Sequence, residues 1–253
     1  MSVGAEAVIK VTGLTIGWGE VVLMRELSFE VPRGEVFAIL GGSGCGKSTL
    51  LRHLIGLEVA MAGTVDVLGR DPVEAQRGRP PFGVLFQSGA LLGSMTLGEN
   101  VALPLRTWTR LAPEAVEAIV RAKLALVGLE GFENHLPAEI SGGMKKRAGI
   151  ARAMALDPSV LFLDEPSAGL DPISAVELDD LILTLSRSLG MTTVIVTHEL
   201  PSIFKIATSC IMLEKTTQGI IARGDPRQLR ERDDEPQVWR FFNRQAAPAA
   251  ASS

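Results

Sequence analysis

The chain carries four short apolar runs, and each ends at a glycine or a polar residue. The runs lie at 36–40, 82–86, 160–163 and 193–197. Strands that are covered on both faces give continuous runs of this kind, whereas a strand with one solvent face alternates. The pattern therefore predicts the parallel strands of an α/β core.

The N-terminal region has shorter strand-like runs. These runs predict strands at 8–11, 21–23 and 64–68. A turn is predicted at 17–19, and it contains Trp18. An aromatic residue on a turn here can stack on a flat base, or it can pack in the core, and the residues alone leave both interpretations open.

The apolar spacing changes from strand-like to helical between 96 and 157. From Pro113 onward, apolar residues recur every three or four positions, which is typical of an amphipathic helix. Ser141 is a favourable N-cap for another helix at 145–156. A helical insertion is therefore predicted inside the α/β core, and a further amphipathic helix is predicted at 178–189.

Composition and charge exclude several classes of protein. The 253 residues suffice for one α/β domain or two smaller ones. Hydrophobic residues make up 46% and charged residues 21%, as in a globular chain. A formal net charge of −4 argues against a nucleic-acid-binding surface. The two cysteines, Cys45 and Cys210, cannot form a disulfide framework.

Two further features bear on location. No apolar run approaches the roughly 18 residues that span a bilayer. Residues 1–8 include Glu6 and lack the basic start and apolar block of a signal peptide. We expect a cytoplasmic location, with docking onto a membrane from the inside left open.

The stretch 41–49 has the pattern G-x-x-x-x-G-K-[ST] between an apolar run and a helical pattern. Its glycines let backbone N–H groups face an anion, and the N-terminus of the following helix adds a positive dipole end. Lys47 would reach the β- and γ-phosphates of a nucleotide, and Ser48 would bind Mg²⁺. A glycine-rich turn without a ligand is the alternative.

Polar side chains follow the ends of three other predicted strands. Gln87, Asp164 and His198 occupy these positions, and ligands of open parallel sheets bind at this edge. Asp164 and Glu165 would be costly at the end of a buried strand without a cation. With Mg²⁺ and ATP present, Asp164 would hold the metal and Glu165 would act on a water. A lone histidine is more often structural, so only its position supports a role for His198.

The helix start at Ser141-Gly142-Gly143 also suits an anion, because the glycines let the backbone come close. A plain helix cap explains the same residues. Four basic residues follow, and their interpretation as an ordinary solvated helix face stays open: Lys145, Lys146, Arg147 and Arg152.

Together these residues resemble the ATP-binding subunit of an ABC transporter. The resemblance extends from Trp18 to His198. The matching motifs are the adenine-stacking aromatic Trp18, Walker A at Gly41 to Ser48, the Q-loop Gln87, the signature at Ile140 to Met144, Walker B at Leu161 to Glu165, the D-loop at Ser167 to Asp171 and the switch His198. The signature after a Walker A motif is specific to this family. Ile140, Met144 and Trp18 depart from the usual leucine, glutamine and tyrosine, and no catalytic group is lost.

The resemblance implies the ABC ATPase fold. This is a P-loop NTPase (RecA-like) core with an N-terminal antiparallel β subdomain and an inserted α-helical subdomain. We expect one domain over 1–245. Its parts are a core at about 6–87 and 158–225, a helical subdomain at about 88–157 and a C-terminal helical extension at about 226–245, before a disordered tail at 246–253.

The resemblance also assigns roles to residues. It makes Glu165 the general base, with His198, Gln87 and Lys47 as the other catalytic residues. Mg²⁺ would be held by Ser48, Gln87 and Asp164. The expected ATP-binding residues are Trp18, Gly41, Gly42, Ser43, Gly44, Cys45, Gly46, Lys47, Ser48, Thr49, Gln87, Ser141, Gly142, Gly143, Asp164 and His198. Two chains would form a head-to-tail homodimer, in which Ser141 and Gly143 of one chain complete the site of the other.

The stretches 86–106, 144–147 and 225–243 look like those of ATPases of Mla/Mce-type phospholipid transporters. That resemblance implies a multi-spanning permease, an MCE-domain protein and a small accessory subunit as partners, no nucleic acid, and a peripheral position on the cytoplasmic side of the inner membrane. It leaves open another transporter class, such as an amino-acid importer or a lipoprotein exporter, and an ATP-gated scaffold. The aromatic segment 236–244 would fold back onto its own core or contact a neighbouring subunit.

Overall fold

The computed structural model describes residues 6–75 and 77–244, and these residues form two sheets and a set of surrounding helices. A three-stranded antiparallel sheet has the order β2-β1-β4. Its strands are β1 (Ala7–Trp18), β2 (Val21–Pro32) and β4 (Ala62–Val67).

The larger sheet has the strand order β5-β6-β7-β3-β8-β9. The first five strands in this order are parallel to one another. The edge pair β8 and β9 is antiparallel. The strands are β3 (Val36–Gly41), β5 (Phe82–Leu85), β6 (Val160–Asp164), β7 (Thr192–Val196), β8 (Ser209–Glu214) and β9 (Gly219–Gly224). The four continuous apolar runs are therefore confirmed as parallel strands.

Helices cover both faces of this sheet. In chain order they are α1 (Lys47–Leu54), α2 (Pro72–Ala75), α3 (Leu97–Trp108), α4 (Pro113–Leu126), α5 (Gly142–Ala153), α6 (Pro172–Leu189), α7 (Leu200–Ile206), α8 (Pro226–Glu231) and α9 (Pro236–Phe242). Helices α3 to α5 stand between β5 and β6 in the chain, as the predicted helical insertion requires. We call residues 88–157 the helical segment.

Alternate residues of the central strands enter different apolar clusters. In β3, Phe37 and Ile39 pack with the antiparallel sheet and α1, whereas Ala38 and Leu40 pack with α7 and the C-terminal helices. In β6, Leu161 and Leu163 pack with the helical segment and α6. Burial on both faces explains why these strands are continuous apolar runs.

The predicted turn at 17–19 is wrong. Gly17 and Trp18 lie in β1 and pair with Val22 and Val21, so the chain turns at 19–20. At Gly17, a Cβ would stand 2.0 Å from the carbonyl oxygen of Val21, so the close strand pairing itself requires glycine there. The first two strands are thus longer than their short apolar runs indicate.

The C-terminal helix α9 packs on the chain's own core. Val238 and Phe242 are buried beside Leu200 and Ile203 of α7. The tail 246–253, predicted to be disordered, lies outside the described residues. Among the described helices, none combines the length and the apolarity needed to cross a membrane.

Asn100 anchors the start of the helical segment. Its side chain is fully buried, and its Oδ1 accepts from the Leu92 N–H at 2.8 Å. Its Nδ2 donates to the carbonyls of Leu92, Met95 and Thr96 at 3.0–3.1 Å. One side chain therefore fixes the loop that leads into α3.

Replacement of Asn100 by leucine should lower the free energy of unfolding by about 2–3 kcal/mol, because it strands a buried N–H and several carbonyls. Urea unfolding of the full chain measures this. Thr107→Ala is the control, since its hydroxyl bonds Leu103 within the same helix on the surface and should change stability by less than about 0.5 kcal/mol. An equal effect of the two substitutions would contradict the anchoring role.

Candidate functional site

The carboxyl ends of four adjacent strands meet at one edge of the large sheet. The strands are β5, β6, β7 and β3, and Gln87, Glu165, His198 and the loop 41–49 follow them. These groups line one cavity of about 780 Å³. The predicted convergence of the motif residues at one edge is therefore present in the fold.

The loop 41–49 wraps the N-terminus of α1, which begins at Lys47. Gly41 has a φ of 146°, and a Cβ there would stand 2.6 Å from both the Cys45 Sγ and the Leu213 carbonyl oxygen. The Lys47 Nζ donates to the carbonyls of Gly41 and Gly42 at 2.9 and 3.0 Å. A buried ammonium and a helix N-terminus face the same space, which suits a phosphate chain.

Ser48 and Asp164 bring two oxygen ligands together. The Ser48 hydroxyl donates to Asp164 Oδ1 at 3.3 Å. Burial raises the pKa of Asp164, and the Ser48 hydroxyl opposes that shift. Hard cations such as Mg²⁺ prefer such oxygens. Within 6–75 and 77–244, no group of three His, Cys, Asp or Glu side chains could hold a metal.

Glu165 is buried and held by its neighbours. Its Oε1 is hydrogen-bonded to the His198 Nδ1 at 2.8 Å, and its backbone N–H donates to the Val196 carbonyl at 2.8 Å. Its φ of 46° is unusual for a residue with a side chain. Within the described residues, the buried Oε2 has no hydrogen-bond partner, which leaves one carboxylate oxygen available to a water or ligand.

Lys146 corrects the interpretation of the basic residues on α5. It is buried, and its Nζ donates to the carbonyls of Gln87 and of Glu165. Arg152 donates to the carbonyls of Gly89 and Ala90. A solvated face is therefore the wrong interpretation for these two residues, because the helix turns them onto the loop after β5. Nothing in their spacing along the helix indicated this.

Five more residues line the cavity: Trp18, Val21, Leu23, Lys215 and Phe241. Trp18 lines it and is 52% exposed, so core packing is the wrong interpretation for this residue. Lys215 and Phe241 also line it, and the sequence did not single them out for this site. Lys215 follows Glu214, the last residue of β8, so it comes soon after an apolar run, as the polar residues after the other strands do. Phe241 comes from α9, and only the fold brings it here.

The structure does not bring Ser141, Gly142 and Gly143 to this cavity. Ser141 caps α5 by accepting from the Met144 N–H at 3.2 Å. An added Cβ at Gly143 would lie 3.3 Å from the Ser174 Cβ, so the glycines lie beside the start of α6. Ser141 and Gly142 are exposed, and they form a separate surface of the same chain.

Comparison with known proteins agrees with this geometry. The family model described as ABC transporter matches residues 24–168. The chain is 42% identical over 240 residues to "Probable ribonucleotide transport ATP-binding protein mkl" of Mycobacterium tuberculosis, covering 93% of this chain and 66% of that protein. It therefore spans just under two thirds of the length of that relative.

A second relative is covered more fully. The chain is 39% identical over 233 residues to "Intermembrane phospholipid transport system ATP-binding protein MlaF" of Escherichia coli K12, covering 89% of this chain and 84% of that protein.

A solved structure, the dimeric post-hydrolysis state of the ATP-binding cassette MJ0796 bound to ADP and Pi, has a TM-score of 0.75 with this chain. It is 27% identical and covers 86% of this chain and 98% of its own. The expected fold class is confirmed, and this chain belongs to the ABC transporter family.

Proposed function

We propose that this chain is the ATP-binding and ATP-hydrolysing subunit of an ABC transporter that powers phospholipid transport in the bacterial cell envelope. The observation that carries the proposal is the single sheet edge where the loop 41–49, Gln87, Asp164, Glu165 and His198 meet. The name of the MlaF relative supports the choice of phospholipid.

The cavity fits ATP with Mg²⁺. The glycine-rich loop and the Lys47 ammonium would bind the phosphates, and the exposed face of Trp18 would stack on adenine. Ser48 and Asp164, already in contact, would hold Mg²⁺ together with Gln87. When bound, the ion supplies positive charge against the phosphate oxygens.

Glu165 is positioned to act as general base. His198 holds Oε1, and Oε2 is the oxygen that is left to accept a proton from water. Burial by the surrounding strands keeps bulk water away from this carboxylate. His198 lies at the end of β7, where it would also contact the γ-phosphate.

The exposed Ser141 and Gly142 at the start of α5 support a hydrolytic site that is shared between two chains. A second copy, docked head to tail, would present these residues to the phosphates held by the first copy. ATP would then lie between two chains. In such a dimer, Ser141, Gly142 and Gly143 of one chain need not reach the cavity of that same chain.

An apolar groove supports a membrane partner. It has a volume of about 430 Å³ and lies between the core and the helical segment. Leu57, Phe86, Leu103 and Trp108 line it and are exposed, and apolar surface of this kind is typical of a contact with another protein. We assign the groove to a cytoplasmic helix of a multi-spanning permease, on the inner face of the inner membrane. An MCE-domain protein and a small accessory subunit complete the proposed assembly.

The mkl relative supports a second candidate cargo, since its name gives ribonucleotide transport. Co-purification of this chain with its permease, followed by reconstitution in vesicles, separates the two. ATP-dependent movement of labelled phospholipid supports the proposal. Movement of labelled ribonucleotide without lipid movement would assign the other cargo.

The role of Glu165 leads to a first prediction on activity. Glu165→Gln should keep ATP affinity and lower the turnover rate by about 10²–10⁴-fold, since the general base is lost. The ATP-bound dimer should then persist during gel filtration. Glu114→Gln, on the surface of α4, is the matched control. Hydrolysis at the wild-type rate by Glu165→Gln would refute the general-base role.

Ser141 allows a test of the shared site. Ser141→Asp preserves the N-cap, because aspartate caps helices well, yet it places a negative charge toward the partner's phosphates. It should bind ATP as a monomer, lose the ATP-dependent dimer and hydrolyse very little. Ser141→Asn keeps the cap without the charge and should still dimerise. Light scattering with and without ATP reports the difference, and a Ser141→Asp dimer would contradict the arrangement.

Cys45 reports on the closed loop. Burial raises the pKa of its thiol, and burial also raises that of Cys210, to about 12. The thiolate is the reactive form, so alkylation should be slow and should need the loop to open. ATP at 100 times its Kd should slow labelling of Cys45 by up to about a hundredfold if it binds only the closed loop. Mass spectrometry measures both cysteines, and equal labelling of Cys45 with and without ATP would contradict its placement.

A further inference from the structure

The Nζ of Lys146 lies between the loop after β5 and Glu165, which follows β6. It donates to the Glu165 carbonyl at 3.0 Å and also to the Gln87 carbonyl. The first carbonyl belongs to the residue at the end of β6, and the second belongs to the loop after β5. Lys146 itself belongs to α5, in the helical segment. One side chain thus joins three elements.

Glu165 is held through its backbone at two points. Its N–H donates to the Val196 carbonyl of β7, and its own carbonyl accepts from Lys146. Between these two bonds its φ is 46°, a conformation that L-residues rarely adopt. Such a conformation persists when its surroundings fix it. Lys146 therefore contributes to the direction in which the Glu165 side chain leaves the backbone.

The loop after β5 is clamped by the same helix. Arg152 donates to the Gly89 and Ala90 carbonyls, from a position six residues after Lys146. A Cβ at Gly149, between them on α5, would stand 3.2 Å from the Gly89 carbonyl oxygen. The helix thus packs closely against the loop, and the buried Lys146 and the half-buried Arg152 satisfy carbonyls of that loop.

The charge of Lys146 faces carboxylates without pairing with them. Asp164 and Glu165 stabilise its charged form, and burial acts in the opposite direction and lowers its pKa. Its Nζ donates to the backbone carbonyls of Gln87 and Glu165. A buried ammonium that bonds carbonyls holds the backbone in place, and it also places positive charge behind the two acids.

We infer that Lys146 is a positioning residue for ATP hydrolysis, which ties the orientation of Glu165 and of the Gln87 loop to the position of helix α5. The inference rests on the proposed function, and within it Lys146 touches neither ATP nor water. A displacement of α5 pulls on both carbonyls at once. The helical segment can therefore change the geometry of the general base without contacting it.

The test uses the purified full-length chain at a concentration where the wild type dimerises with ATP. Three substitutions separate the features of the side chain. Lys146→Met removes the charge and the donors, Lys146→Gln keeps donors without charge, and Lys146→Arg keeps both. Lys123→Gln is the matched control, because this half-buried lysine of the helical segment pairs with the exposed carboxylate of Asp157 and does not line the cavity.

A positioning role predicts a split between rate and binding. For Lys146→Met, kcat should fall by about tenfold or more, while the Kd for ATP and the KM stay within about twofold of wild type. Lys146→Arg should recover a large part of kcat. Lys123→Gln should match the wild type in all of these.

A second readout follows the loop itself. Hydrogen exchange of the amides at 87–90 should be faster in Lys146→Met than in Lys123→Gln, because the clamp on this loop is lost. Gly89 is a suitable reporter, since its N–H donates to the Phe86 carbonyl at 2.7 Å. If Lys146→Met does not fold, the kinetic constants and the hydrogen exchange are both measured on Lys146→Gln.

The outcomes test the inference about Lys146 and the proposed function independently. Wild-type kcat in the Met and Gln variants would overturn the inference, and so would an equal loss of kcat and of ATP affinity, which indicates a merely structural role. Glu165→Gln is measured alongside. If the wild type hydrolyses no ATP, or if Glu165→Gln hydrolyses it normally, the proposed function fails; if only the Lys146 variants behave as wild type, the inference alone fails.

Discussion

The order of the parallel strands is the constraint on which the rest of this molecule depends. The strands β5, β6, β7 and β3 are neighbours, so the residues after them must meet at one edge. Their interiors are mostly apolar on both faces, and the polar groups of the site follow the strand ends. A site assembled this way brings together four parts of the chain that are far apart in sequence.

Burying two adjacent carboxylates at that edge costs free energy unless positive charge lies nearby. In this fold the positive charge comes from the helical segment. Asp164 is half-buried and Glu165 is buried, and the buried Lys146 donates to the Glu165 carbonyl. Its charge comes from the inserted helices, whereas the acids belong to the core. The stability of the acidic edge therefore depends on how the two parts of the chain pack together.

The same packing relates the three surfaces of the chain. The nucleotide cavity lies at the sheet edge, the apolar groove lies between the core and the helical segment, and the exposed Ser141-Gly142-Gly143 surface starts α5. Helix α5 contributes to all three surfaces. It starts at the Ser141-Gly142-Gly143 surface, its Lys146 bonds the Glu165 carbonyl at the sheet edge, and its Arg152 and Ala153 line the apolar groove. A ligand or partner at one of these surfaces acts on an element that contributes to the other two.

The sequence alone predicted the α/β core, the helical insertion and the residues at the strand ends, because strands covered on both faces are continuous apolar runs and the glycine pattern at 41–49 stands between such a strand and a helix. It could not determine the length of the first hairpin, since β1 and β2 have a solvent face and bulged pairing. The burial of Lys146, the contacts of Arg152 with the loop after β5 and the position of Phe241 at the cavity follow only from the tertiary structure. Helical spacing shows which residues share a face, but only packing shows which loop that face meets.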